Sequence, residues 1–176
     1  MDFDDVLRAR RSVRKYESRG IGKEKLEALL QAVSSAPSAG NMQAFEVVVV
    51  TERANREALS RAASDKPFIK EAPVSLVFCA NRAVSGSRFG RRGEQLYAVQ
   101  DATIAAAYAQ LAATSLGLAS VWAGNFDPQL VAAAVGAKDE LEPVAIVTVG
   151  YPAEYPAPNP KRSLSDLVSW ERLSQE

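Results

Sequence analysis

The chain has 176 residues, enough to bury one core and too few for two comfortable ones, and its 47% hydrophobic and 24% charged content is that of a folded globular protein. Lysine plus arginine equals aspartate plus glutamate at 21 each, which excludes a molecule-wide field of the kind that gathers nucleic acid or anionic membrane, so any basic patch is local. Histidine is absent and cysteine occurs once, which excludes serine–histidine triads, imidazole bases, the usual zinc sites and intrachain disulfides; an enzyme of this composition points towards a cofactor.

The opening "MDFDDVLRARR" is acidic and amphipathic rather than basic and then apolar, so no secretory signal is expected and a cytoplasmic protein is. Phe3, Val6 and Leu7 share one helical face, with Asp2 and Asp4 near the positive end of the dipole, which predicts a first helix to about Arg10. "RARRSVRKY" then packs five basic residues around one serine. If the chain is extended here, Arg10, Ser12 and Arg14 alternate onto one face, and two guanidinium forks with a hydroxyl suit a phosphate or an anionic ring edge. On local sequence a solvated basic face, a targeting signal and a kinase site stay open beside that reading.

Leu26, Leu29, Leu30 and Val33 fall at helical spacing and predict a helix over 23–35, ending before Pro37. "SAPSAGNMQ" is a loop of turn formers, and "FEVVVVT" reads as a buried strand. A short helix over about 54–63 leads to "APVSLVFCA", a second strand in which Cys79 is a buried thiol rather than a reactive one. "NRAVSGSRFGRRGEQ", with three glycines and four arginines, is expected to be a mobile surface loop.

From Glu94 to Leu116 the pattern is helical but apolar nearly all round, as in a helix at the centre of a domain or at an interface. Residues 102–126 carry no charge, yet alanine dominates them and Gln110, Thr114 and Ser115 interrupt them, so membrane insertion would be weakly driven. Tyr97, Gln100, Asp101 and Tyr108 on this helix read as dimer core in preference to substrate pocket. Gly117 ends the helix, and "ASVWAG" is a short strand. "FDPQLVAAAVG" has Asp127 as N-cap, Pro128 at the first helical position and Gly136 past the last turn. "PVAIVTVG" is a further strand, and "SLSD" from Ser163 opens a terminal helix or a tail that reaches onto a partner chain. No repeat or linker divides residues 1–176, which are read as one domain.

Four segments, "RRSVRKY", "APSAGNMQAFEVVVV", "GEQLYAVQDATIAAAYAQLAATSLGLASVWAGNF" and "VTVGYP…PNPKRSLSDLVSW", resemble the nitroreductase family of flavin enzymes in order and spacing. The resemblance implies an α+β, nitroreductase-like fold: a mostly antiparallel central sheet flanked by helices, in a homodimer with FMN at the subunit interface. It implies that Arg10, Arg11, Ser12 and Arg14 meet the flavin, Arg10 on the phosphate and Arg14 at the N1 and C2 carbonyl edge, where a cation favours the reduced form. Pro37, Ser38, Ala39, Asn41 and Gln43 would lie along the ring and ribityl of the flavin bound mainly by the other subunit. Val121, Trp122, Ala123 and Gly124 would meet the flavin, Ala123 and Gly124 through main chain near N5 and Trp122 either beneath the flavin or in the core. Lys161 and Arg162 would close on the phosphate, Arg162 being favoured because "SLSDL" follows it.

The chain departs from the family pattern in three places. Ala123 stands where many members carry glutamate. A mid-chain asparagine and lysine of larger members have no clear counterpart, Asp65 and Lys66 being the nearest candidates. The larger members' extra helices over the substrate cleft are missing. The implied activity is that of an FMN-dependent NAD(P)H oxidoreductase, in which NADH or NADPH gives a hydride to flavin N5 and an electron-poor small molecule such as a nitroaromatic or quinone is then reduced, in ping-pong order. No catalytic side chain, metal, nucleic acid or membrane is implied. A dehalogenase or ene-reductase on the same scaffold, or a flavin-binding redox sensor without turnover, remain alternatives. Residues 81–93 either cover the active site, meet the donor's phosphates or form bare surface.

Overall fold

The β-branched runs become the strands of one antiparallel sheet in a computed structural model of the chain, which describes residues 1–173. The strands are β1 (Phe45–Val50), β2 (Val74–Asn81), β3 (Ala119–Ala123) and β4 (Leu141–Gly150), in the order β1-β2-β4-β3. Leu76 faces Val147 across the central pair, and Val121 faces Thr148 at the β3 edge. The central strand β2 is buried from Val74 to Ala80, as an unbroken apolar run requires. β1, expected to be buried, is half-buried, with Glu46 exposed, because it forms an edge of the sheet.

Among the described residues the helices are eight: α1 (Phe3–Ala9), α2 (Lys23–Ser34), α3 (Arg53–Ala62), α4 (Pro67–Glu71), α5 (Arg82–Arg92), α6 (Ala98–Ser115), α7 (Pro128–Val135) and α8 (Leu164–Leu167). Strand alternation divides the core in two. Leu76, Phe78, Val147 and Val149 meet Leu29 and Val33 of α2 and the alanines of α6. Val77, Cys79 and Ile146 meet Leu59, Ile69 and Val131 of α3, α4 and α7. Burial pushes the Cys79 thiol up to about 11, so it stays protonated and unreactive near neutrality, as its place in the second strand suggested.

The segment expected to be a mobile loop is helix. The Asn81 side chain accepts from the Val84 N–H and opens α5, which passes through one wider turn (Gly93–Tyr97) into α6. Its glycines serve packing: a Cβ on Gly93 would fall on the carbonyl oxygen of Ser85, and one on Gly86 on the side chain of Glu94. Gly90 alone takes a left-handed φ, +55°, and kinks the helix.

Three other elements differ from expectation. α1 buries Val6 but leaves Phe3 66% and Leu7 50% exposed among the described residues. α4, unforeseen, starts at Pro67. The terminal helix is one turn long, capped as expected by Ser163, and residues 157–173 are exposed throughout. Among the described residues no helix is long and apolar enough to cross a membrane.

Candidate functional site

After α1 the backbone turns extended at Arg10 (ψ 123°), which meets the condition for Arg10 and Ser12 to share a face. Ser12 bridges Ser120 in parallel, and the Val13 N–H donates to the Ser120 carbonyl at 3.1 Å, so the run lies along the outer edge of β3. Further on it pairs with the chain leaving β4: Glu17 N–H donates to the Tyr151 carbonyl and Ala153 N–H to that of Lys15, both at 2.9 Å. Val13 is buried beneath it. The Tyr16 hydroxyl lies 2.8 Å from the Val13 carbonyl and 2.7 Å from Thr148 Oγ1, and burial raises the phenol well above its ordinary pKa.

Arg10, Arg11, Ser12 and Lys161 line one cleft of about 420 Å³, whose other walls are Arg8 and the uncharged Leu7, Pro158 and Asn159. No carboxylate lines it. One Arg11 nitrogen is already engaged, donating to the carbonyls of Arg8 at 2.6 Å and Arg10 at 2.8 Å. Arg14 lies outside the cleft, with its main-chain N–H on Glu154 Oε1 at 2.7 Å and its guanidinium carbon 6.0 Å from the centre of the Phe68 ring. Arg162 also lies outside, its Nη2 donating to the Asp166 carbonyl at 2.5 Å.

Loop 37–43 is built differently. Gly40, Asn41 and Gln43 all have left-handed φ, +55°, +57° and +47°, which costs little for glycine and on the order of 1–3 kcal/mol for a residue such as glutamine. Cross-ties hold the shape. The Gln43 N–H donates to Ser38 Oγ at 2.9 Å, the Gln43 amide to the Ser34 carbonyl at 3.1 Å, and the Ala39 and Ala44 N–H groups to the two carboxylate oxygens of Asp101 at 2.9 and 3.3 Å. Arg88 of α5 donates to the Gly40 carbonyl at 2.9 Å, and a Cβ on Gly40 would lie 2.9 Å from Arg88 Nη1 and from Phe89 Cζ. Pro37, Asn41 and Gln43 are exposed, whereas Ser38 and Ala39 are half-buried.

In "VWAGN", Val121 and Ala123 bury their side chains in the core, and the strand period turns their main-chain groups towards β4 rather than the open edge. Since Ser120 turns its carbonyl to the basic run, the strand period places the main-chain groups of Trp122 on the same outer edge. The Trp122 ring packs on the α2–α6 side of the core, and a Cβ on Gly124 would come within 3.1 Å of its Nε1. Lys66 spends its ammonium on the carbonyls of Ala63 and Asn125, both at 2.8 Å, and so ties α3 to the end of this segment. Asp65, exposed and at φ +54°, makes the turn before it.

The basic run, Lys161 and β3 are thus adjacent in one chain. Loop 37–43 is not brought to them: it leads into β1, the edge of the sheet opposite β3. The sequence model of the nitroreductase family matches residues 7–68 and 60–151, which together span most of the chain.

The chain belongs to the nitroreductase family. It is 31% identical to a Thermus thermophilus protein named NADH dehydrogenase, over 97% of this chain and 96% of that one. It is 32% identical to a Bacillus subtilis FMN reductase (NAD(P)H), over 86% of this chain and 66% of the reductase. Among solved structures, a nitroreductase family protein from Clostridium difficile superposes with a TM-score of 0.87 at 34% identity, covering 98% of this chain and all of that one. In this nitroreductase-family chain, sequence reading missed the loop contact of Asp101, the contact of Glu154 with Arg14 and the reach of Arg88 to Gly40. Only Asp101 left a signal: it is the last charge before a long uncharged run, and a carboxylate carried into such surroundings needs donors.

Proposed function

We propose that this chain is an FMN-dependent NAD(P)H oxidoreductase that works as a homodimer and reduces an electron-poor small molecule such as a nitroaromatic or quinone. The observation that carries the reading is the cleft at Arg10, Arg11, Ser12 and Lys161, which converges cationic and hydroxyl donors with no carboxylate among them. That donor set fits a phosphate monoester. The named relatives, an FMN reductase and an NADH dehydrogenase among them, support it.

FMN, when bound, supplies a ring that takes a hydride from NAD(P)H and passes two electrons on to the acceptor, in ping-pong order. The chain's own residues hold and bias it. Arg10, Ser12 and Lys161 would hold the phosphate, with the free donors of Arg11 assisting. The Arg14 cation would favour negative charge at the N1 and C2 carbonyl edge. The main chain of Trp122 and Gly124 on the open edge of β3 would lie towards N5, and Val121 and Ala123 beneath would keep that edge flat and dry. Pro37, Ser38, Ala39, Asn41 and Gln43 would flank the ring and ribityl held by the other subunit.

The layout supports the homodimer reading. Loop 37–43 and the basic run occupy opposite edges of one sheet, and a second copy would bring one of each together. The outer side of α6 offers Gln100, Thr103, Ala107 and Tyr108 to solvent without a charge, and the exposed tail carries Tyr155, Leu164, Leu167 and Trp170. Those are surfaces that a partner would cover.

The deciding experiment is the visible spectrum of the purified full chain after addition of FMN and gel filtration, followed by anaerobic titration with NADH and then NADPH. Retained flavin that bleaches with either nicotinamide is expected. Retained flavin that neither bleaches would replace the enzyme by a redox sensor, and no retained flavin would overturn the reading.

A further inference from the structure

Asp101 is 1% exposed on the first turn of α6, and among the described residues no lysine or arginine forms an ion pair with it. Its partners are main-chain donors: Oδ1 accepts from the Ala39 N–H at 2.9 Å and Oδ2 from the Ala44 N–H at 3.3 Å. These two amides bracket Gly40, Asn41 and Gln43, the loop's three departures into left-handed φ. An ionised carboxylate is acceptor-only and has two oxygens, so one side chain can tie both ends of the loop. A buried carboxylate without a counter-cation is costly, and a neutral helix face would otherwise serve the core equally well. Among the described residues its side-chain hydrogen bonds fall on the loop and on the residue that follows it.

We infer that Asp101 is a positioning residue that presets loop 37–43 for the flavin before any flavin arrives. The inference rests on the proposed function. By tying Ala39 and Ala44 it holds the strained Asn41 and Gln43 in place and, through the bond between Ser38 Oγ and the Gln43 N–H, fixes the side chains assigned to the ring and ribityl. Arg88 ties the same loop from outside at Gly40, so the loop is held from the core and from α5.

The test is Asp101→Asn in the full chain, which keeps the shape and sets an amide NH2 against one of the two N–H donors. Two readouts are needed: hydrogen exchange at Ala39 and Ala44 beside the core amides of Leu76 and Val147, and the affinities for FMN and for riboflavin. The expected result is faster exchange at Ala39 and Ala44 with the core amides unchanged, and both flavins weakened by the same factor, about tenfold, since the loop faces ring and ribityl rather than phosphate. Unchanged flavin affinities in the variant overturn the inference, whether or not the loop amides open. Should D101N not fold, the flavin-free wild-type chain decides: Ala39 and Ala44 protected like helix amides support a preset loop, and exchange at the rate of open chain overturns it. Failure of the oxidoreductase reading is distinct, because a wild-type chain that retains no flavin is seen in the spectrum irrespective of amide exchange.

Discussion

The two arms of the candidate site use opposite physics. The basic run is an extended segment clipped to the edge of β3, where it offers long, half-exposed cations to a cleft without acidic groups. Loop 37–43 has no charge of its own, and its shape depends on a buried carboxylate, a serine hydroxyl and an arginine from α5. On the proposed function, the first arm would recognise by charge and tolerate motion, while the second would recognise by shape and have to be held. Variants on the first should therefore separate FMN from riboflavin and respond to salt, whereas variants on the second should affect both flavins alike.

The largest effect is expected from removing both cleft cations. Arg10→Ala with Lys161→Ala should weaken FMN by about a hundredfold, given roughly 1.5–3 kcal/mol for a hydrogen bond to a charged group, and flatten the salt dependence of binding. Riboflavin, which lacks the phosphate, should bind the variant and the wild type equally. Equal loss of both flavins would erase the division between the arms.

Gly40→Ala probes the other arm. The new methyl meets a left-handed φ of +55° and the tips of Arg88 and Phe89, and the positive φ alone costs about 1–2 kcal/mol. FMN and riboflavin should weaken together, by roughly tenfold, with salt dependence intact. A loss confined to FMN would mean that the loop, too, senses the phosphate.

How much of this was legible in the sequence follows the same division. Charge is visible residue by residue, so "RARRSVRKY" stood out as a local basic patch, and the β-branched runs announced the sheet. The Asp127 and Gly136 caps of α7 were equally plain, because cap chemistry is local. Residues 81–93 misled because glycine in sequence does not distinguish mobility from close packing, and here Gly86 and Gly93 exist for contact with Glu94 and Ser85. Asp101 stayed hidden because its partners are main-chain amides of residues that lie 62 and 57 positions away. The layout that places loop 37–43 opposite the basic run depends on strand order, which no local pattern fixes.

A smaller effect belongs to the anchor of the basic run. Tyr16→Phe removes the hydroxyl contacts to Val13 and Thr148 and should cost about 1 kcal/mol of global stability, read by chemical denaturation. Because burial raises the phenol in the folded state above its ordinary value of 10.0, the folded chain keeps the proton longer than the unfolded one. Its contribution is complete below pH 10 and is lost as pH rises through the raised folded value, so the wild type should lose stability there and Y16F should lose less. FMN affinity should fall only a fewfold, since Val13 still pins the run to Ser120. A collapse of FMN binding in Y16F would show that the charged arm needs rigid support after all.

The smallest effect separates the two late cations. The sequence favoured Arg162 over Lys161, yet Lys161 lines the cleft while the Arg162 guanidinium donates to the Asp166 carbonyl, four residues on, in an exposed turn. An exposed contact of that kind is worth little, so Arg162→Ala should change FMN affinity by less than about threefold, against about tenfold for Lys161→Ala alone. The reverse order would mean that FMN draws Arg162 off Asp166 and into the cleft. The charged arm would then complete itself around the phosphate on binding, sharpening its contrast with a loop preset by Asp101.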